Sequence, residues 1–284
     1  MTATPARVSA ALAALLVLPL AAVAAAPPAG ADTPSMSIGT YNIRAGVSVD
    51  TFQSALDSFL PKVQVAGLQE VNSKDKQQVL EGLQGWSFFR PQRLHGEQNP
   101  VLWDTSVFKL LSHRSVRLDA AFTCHEIPGT SDYNPNYAVV VRLQQRATGA
   151  KISVVDIHLV NGAILNGEPR PGRAVIFRHY LHQVANLATL VKSERSWGPT
   201  YVLGDFNVGW VADSKHRHAG LPYRTFKAIG MKSMWATERP VSGGTHSVSL
   251  IDQVYATAAA SSAKVAFDVS GSDHYPAVST YPVP

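Results

Sequence analysis

Short runs of strand-forming residues alternate with amphipathic helical runs along almost the whole chain, and several of the strand runs are apolar at consecutive positions. The strand runs are Ser35–Asn42, Val63–Glu70, Pro100–Leu111, Tyr137–Gln144, Lys151–Val160, Pro199–Asp205, Leu250–Thr257 and Tyr275–Thr280, each enriched in Val, Ile or Tyr or alternating in polarity. Strands apolar on both faces need cover on both sides, which calls for sheets sandwiched between other layers. Helical patterns occupy Val49–Phe59, Lys74–Leu83 and Arg173–Glu194. In the last, Val175, Ile176, Tyr180, Val184, Leu187 and Leu190 return at three- and four-residue steps. No internal repeat and no Pro/Gly/Ser-rich linker divides the chain, so one α/β domain is expected.

The N-terminus is different in kind. Arg7 precedes an apolar block from Ala10 to Ala26 that Pro19 interrupts, the layout of a secretory signal peptide. Ala29-Gly30-Ala31 offers an A-x-A cleavage site, with Ala24–Ala26 as a second; a membrane anchor would need a longer apolar stretch. Cleavage after Ala31 leaves residues 32–284 as the single folded domain of an exported protein. A lone Cys124 rules out an intramolecular disulfide and reads as a buried or loop thiol. The full chain has 25 Lys and Arg against 20 Asp and Glu; losing Arg7 leaves 24 against 20. That mild excess suits approach to a polyanion without identifying one.

Polar clusters punctuate the apolar strands: Thr40-Tyr41-Asn42, Gln69-Glu70, Asp156-Ile157-His158, Gly204-Asp205-Phe206-Asn207 and Ser272-Asp273-His274 at strand ends, and Ile251-Asp252 within one. Singly, each has an ordinary explanation as a helix cap, a side-chain turn or a satisfied core histidine. Together they matter more, because strands of one sheet bring their ends to a common edge. Phosphate ester hydrolysis needs carboxylates for a hard cation, a base for water and donors for developing phosphate charge, and these residue types supply all three.

The ordered series TYN, QE, DIHL, GDFN, ID and SDH resembles the endonuclease/exonuclease/phosphatase superfamily, with GDFN and SDHYP the most specific motifs, over residues 37–278. The resemblance implies a four-layer α/β sandwich of two mixed sheets flanked by helices, and Mg²⁺-dependent phosphodiester hydrolysis, with Mn²⁺ as a substitute. It implies Glu70 as main metal ligand, with Asn42 and Asp273 completing the shell. Asp205 and Asn207 match the pair that deprotonates and orients the attacking water. His274 matches the histidine on the scissile phosphate, Asp252 its partner, and His158 a second phosphate contact near the leaving group.

Residues outside the motifs are more ordinary. Arg90 and Arg93 are candidates for gripping substrate phosphate or for a plain surface loop. Trp103 and Phe108 read as core. The segments 90–99, 123–136 and 212–223 read as loops able to rim a site, with His216 and His218 in a solvated basic turn.

Within the superfamily, Gly209 and Leu250 stand where inositol polyphosphate 5-phosphatases resemble one another in carrying Arg and part of a Cys-Asp-Arg segment. Secreted sphingomyelinases are similar in SDHYP but usually carry Met in place of Phe206. Val208 stands where toxin-type nuclease subunits have Arg. Basic balance, intact GDFN and export favour a secreted nuclease on DNA or RNA, acting as a monomer without an obligate protein partner. A sphingomyelinase-type phospholipid phosphodiesterase is the alternative, and an inactive binding protein of the same fold a further one.

Overall fold

Side-chain alternation in β2 (Val65–Gln69) sets the layering: Val65 enters the main core, Ala66 and Leu68 a second core on the opposite face. Gly67 faces inward at a point where a Cβ would lie 1.8 Å from a Leu203 methyl carbon, so any side chain would force the two sheets apart. The computed structural model describes residues 1–2, 34–91, 98–129 and 132–284. Thr33–Pro284 forms one compact unit; of the unit Met1–Asp32 only Met1 and Thr2 are described, so the signal peptide lies outside the described residues. Among the described residues no helix is long and apolar enough to cross a membrane.

The first sheet holds β1 (Ser35–Asn42), β2, β3 (Trp86–Phe89), β4 (Val101–Asp104), β15 (Ser262–Val265) and β16 (Ala277–Pro282) in the order β15-β16-β1-β2-β4-β3. The second holds β5 (Phe108–Asp119), β8 (Asn136–Gln145), β9 (Lys151–His158), β12 (Thr200–Asp205), β13 (Lys232–Ser233) and β14 (Asp252–Ala256) in the order β13-β14-β12-β9-β8-β5. Two short ribbons, β6 (Phe122–Thr123) with β7 (Asp132–Tyr133) and β10 (Ile164–Leu165) with β11 (Glu168–Pro169), lie outside both sheets. Each sheet has one parallel pair, β1–β2 and β9–β12, among antiparallel neighbours.

Helices α1 (Val49–Phe59) and α2 (Lys74–Gly82) cover the outer face of the first sheet, where Phe52, Leu56, Phe59 and Leu80 meet Tyr41, Leu68 and Leu102. Ser48 and Ser73 cap them by accepting from Thr51 N and Lys76 N, each at 3.2 Å. Helix α3 (Ala174–Trp197) packs on β5, β9 and β12, α5 (Pro222–Ala228) lies beside it, and α4 (Trp210–His216) packs on α5. The four-layer α/β sandwich of two mixed sheets is therefore the fold.

The helix α3 stripe includes a charge. Glu194 is fully buried, accepts from Arg142 Nε at 2.9 Å and Ser153 Oγ at 2.6 Å, and pairs with Arg114. It ties α3 to β5, β8 and β9, since both arginines reach it from water-facing edges. Between the sheets runs a second buried polar line: Thr40 Oγ1 donates to Gln69 Oε1 (3.1 Å), and Gln69 Nε2 donates to Asp156 Oδ1 (2.6 Å). Burial pushes the Asp156 carboxyl well above the usual range against that hydrogen bond, and its Oδ2 has no partner.

Several expectations need correction. The run Pro100–Leu111 is two strands in different sheets, β4 and β5, because Asp104 Oδ1 accepts from Ser106 N (2.8 Å) and turns the chain. The segment 212–223 is mostly helix, α4 and the start of α5, too short for a periodic signal. His216 is exposed in the basic last turn of α4, beside Lys215 and before left-handed Arg217, and pairs with Glu168 at 3.1 Å, so the solvated basic turn is a helix end and not a loop. Trp103, Phe108 and Cys124 are core residues as read.

Two stability outcomes follow from the buried charges. Glu194→Ala leaves Arg114 and Arg142 without their acceptor and should cost about 2 kcal/mol in urea unfolding, less than a fully buried pair because both arginines keep partial access to water. A neutral native Asp156 binds a proton that the unfolded chain releases above its ordinary value of 3.8, so its contribution to stability declines as pH rises. Asp156→Asn should accordingly raise the urea midpoint at pH 7, with the gain shrinking toward pH 4. A pH-independent change instead would mean that the fold does not raise the pKa of this carboxyl.

Candidate active site

Parallel pairing places Asn42 opposite Gln69, so Asn42 and Glu70 emerge together where β1 and β2 end. Asn42 Nδ2 donates to Glu70 Oε1 and, across to the second sheet, to Asp205 Oδ2, both at 3.1 Å. Ala45 N donates to Glu70 Oε2 at 2.7 Å, and buried Lys76 stands behind, its Nζ on Ala45 O at 2.9 Å. Burial lowers the Lys76 pKa, with Glu70 opposing. Glu70 holds a left-handed backbone (φ 64°), a conformation costing of order 1 kcal/mol that recurs at functional positions.

In the second sheet Asp205 lies opposite His158, with His158 Nε2 3.5 Å from Asp205 Oδ2. Asp205 Oδ1 accepts from Asn207 N at 2.8 Å, and Asn207, again left-handed (φ 51°), sets its amide on Leu159 O at 2.8 Å. The intervening Phe206 is pinned from α3 by Tyr180 Oη on its carbonyl at 2.7 Å.

Antiparallel β14 brings Asp252 opposite Asp205, and His274 Nδ1 meets Asp252 Oδ2 at 2.8 Å. Burial alone would lower the His274 pKa, but the charge and hydrogen bond of Asp252, with Asp205 and Asp273 nearby, raise it to about 9. The ring is therefore an imidazolium at neutral pH, poised for an anion. Burial pushes the Asp252 carboxyl up, and the imidazolium holds it back. Thr245 Oγ1 fixes the backbone here, accepting from Ile251 N (3.1 Å) and Asp252 N (3.0 Å). Ser272 Oγ donates to Asn42 O at 2.7 Å and accepts from Arg44 N and His274 N, each at 3.2 Å, which joins the SDH segment to the end of β1.

These contacts bring together Asn42, Glu70, His158, Asp205, Asn207, Asp252 and His274, and the last segment adds Asp273. Oxygen donors suit a hard divalent cation: Glu70 and Asp273 offer carboxylates, and Asn42 Oδ1 is buried without a hydrogen-bond partner. Ligand atoms of Asp205, Asp252 and His274 also lie within 4.8 Å of one another. His274 is committed to Asp252 there, so that triad is better described as an ion pair beside a second carboxylate.

Arg90 does not join the site. It is buried, with Nε and Nη2 on Val71 O (3.3 and 3.1 Å) and Nη1 on Gln77 Oε1 (2.6 Å), so it braces β3 against α2. Arg93 lies outside the described residues. The motifs assign no role to Thr245, Ser272, Lys76 or His246, whose ring lies 4.7 Å from that of His274. Only Ser272 stood inside a motif; the others act through backbone or ring contacts that leave no spacing signal.

Comparison with known proteins agrees with this geometry. No curated protein matches the sequence significantly. A Bacteroides thetaiotaomicron mannosyl-6-phosphatase superposes with TM-score 0.65 at 15% identity, covering 86% of this chain and 98% of that one. D. rerio TDP2 complexed with single-strand DNA product gives 0.64 at 15%, covering 87% and 98%. The human Nocturnin catalytic domain with bound sulfate gives 0.61 at 16%, covering 87% and 93%. These likenesses establish the shared fold. The profile of the Endonuclease/Exonuclease/phosphatase family matches residues 39–274, from within β1 to the catalytic-edge histidine. The chain belongs to the endonuclease/exonuclease/phosphatase family of metal-dependent phosphoesterases.

Proposed function

We propose that this protein is a secreted, Mg²⁺-dependent phosphodiesterase that cleaves nucleic acid. The observation carrying the phosphodiester chemistry is an imidazolium and a water-activating carboxylate held at one edge: His274 on Asp252, and Asp205 within the same cluster. The preference for nucleic acid rests on the net positive charge, on the intact Gly204–Asn207 motif, and on the single-strand DNA product bound by the D. rerio structure of the same fold. Residues 1–31 support export.

Asp205 accepts the proton of the attacking water, and Asn207, fixed by Leu159 O, directs it. His274 donates to a non-bridging phosphate oxygen, and Asp252 keeps the ring charged and in one tautomer. His158, held by its backbone to Asn136 and beside Asp205, donates toward the leaving oxygen. Mg²⁺ held by Glu70, Asn42 and Asp273, with Mn²⁺ as a substitute, would neutralise phosphate charge.

Excess EDTA should abolish hydrolysis of a generic phosphodiester, and Mg²⁺ or Mn²⁺ should restore it; activity in chelator would sink the metal dependence. His274→Ala and Asp205→Ala should each lower kcat at least about 10²-fold while the protein stays folded by circular dichroism, with a lowered thermal midpoint because each leaves a buried partner unpaired. Side-by-side assays on plasmid DNA, RNA, sphingomyelin and an inositol polyphosphate should show nucleic acid cleavage alone. Sphingomyelin cleavage without plasmid nicking would replace this reading with a phospholipid phosphodiesterase.

A further inference from the structure

A second cluster of metal-type ligands lies away from the catalytic edge, where β5 ends against α3. Asp119 is the last residue of β5, and His179 and His182 stand one turn apart on α3. One ligand atom from each of the three lies within 4.8 Å of the others. The placement is rigid on both sides. Asn186 Nδ2 of α3 donates to Leu118 O at 2.7 Å, fastening the strand end to the helix one residue before Asp119. His179 Nδ1 is 2.7 Å from Asp119 Oδ2, and its ring lies flat on Phe122 with centroids 3.6 Å apart and planes 5° from parallel. The Asp119 and His179 side chains are 9% and 17% exposed, whereas His182 is exposed, so the cluster is open on one side only.

We propose that Asp119, His179 and His182 form a binding site for a transition-metal ion of the Zn²⁺ class, separate from the catalytic cation. Two imidazole nitrogens and one carboxylate oxygen are the donor set that favours Zn²⁺ and its neighbours, whereas Mg²⁺ prefers oxygen ligands. Metal–ligand bonds of about 2 Å place tetrahedral donors roughly 3.4 Å apart, so Asp119 and His179 open from their 2.7 Å contact by a small side-chain rotation while the exposed His182 swings inward. The ion takes the place of the proton between those two side chains, and water fills the remaining position on the exposed side.

The site has a structural consequence for the substrate side. Phe122, under the His179 ring, stacks on Tyr133 with centroids 4.4 Å apart and planes 3° from parallel. Phe122 and Tyr133 line a cavity of about 220 Å³ with Asn136, Gln183 and the active-site His158. A metal on His179 therefore anchors the aromatic wall of a pocket that shares His158 with the catalytic edge, through one unbroken stack of three rings.

Chelator-stripped full-chain protein, with Mg²⁺ kept in large excess to occupy the oxygen-ligand site, is titrated with Zn²⁺ by calorimetry, and bound zinc is counted after dialysis. Wild type should bind one Zn²⁺ per chain, and His182→Ala and Asp119→Asn should bind it at least ~10-fold more weakly. Asp273→Asn, which alters the catalytic edge alone, should keep the site. Zn²⁺ should raise the thermal midpoint of wild type and not that of His182→Ala, whose chelator-treated midpoint should equal wild type because the ring is exposed. Zinc bound equally well by His182→Ala, or no zinc bound by wild type, overturns the proposal. Both results are independent of which phosphodiester the enzyme cleaves.

Discussion

The two sheets are held in register by hydrogen bonds between strand ends, and the catalytic edge exists because of that register. Asn42 of the first sheet reaches Asp205 of the second, and Gln69 reaches Asp156 one strand away. A buried amide or carboxyl without a partner is expensive, so these contacts tolerate little sliding of one sheet over the other. Apolar packing alone would bring the sheets together without choosing their alignment. Gly67, which leaves room for Leu203, lets them come close enough for the polar line to form.

From that alignment the electrostatics follow. Asp205 and Asp252 are adjacent by antiparallel pairing, and two carboxylates so placed would repel. His274 resolves the conflict by remaining protonated to about pH 9. The same charge is what a phosphate would meet on arrival. Left-handed backbone at Glu70 and Asn207 shows where local strain is tolerated, in the two residues immediately beyond or around the ends of β2 and β12. Such strain persists because Ala45 N and Leu159 O hold the side chains from outside the strands.

Much of this was legible in one dimension. The strands from Ser35 to Asn42 and from Thr200 to Asp205, the helix from Val49 to Phe59, and the eight motif residues from Asn42 to His274 all show in residue pattern or motif order. The bracing contacts of Arg90 are not visible in the residues around it. A guanidinium beside an apolar strand looks like a phosphate grip until Val71 O and Gln77 are seen to occupy it. The short helices at Trp210–His216 and Pro222–Ala228 were also invisible, since seven residues hold fewer than two full turns of periodicity.

By itself the sequence determined the secondary-structure alternation, the absence of disulfides, the leader-like first residues and the chemical kinds of residue at each strand end. It could do so because periodicity and motif order are properties of neighbours along the chain. Only the tertiary structure decided that Asp104 divides one apolar run between two sheets, that Thr245 and Ser272 hold the catalytic segments, and that Asp119 meets His179 and His182 sixty residues on. Those outcomes depend on distances between residues far apart in sequence, which are set by sheet order and register and leave no trace in local composition.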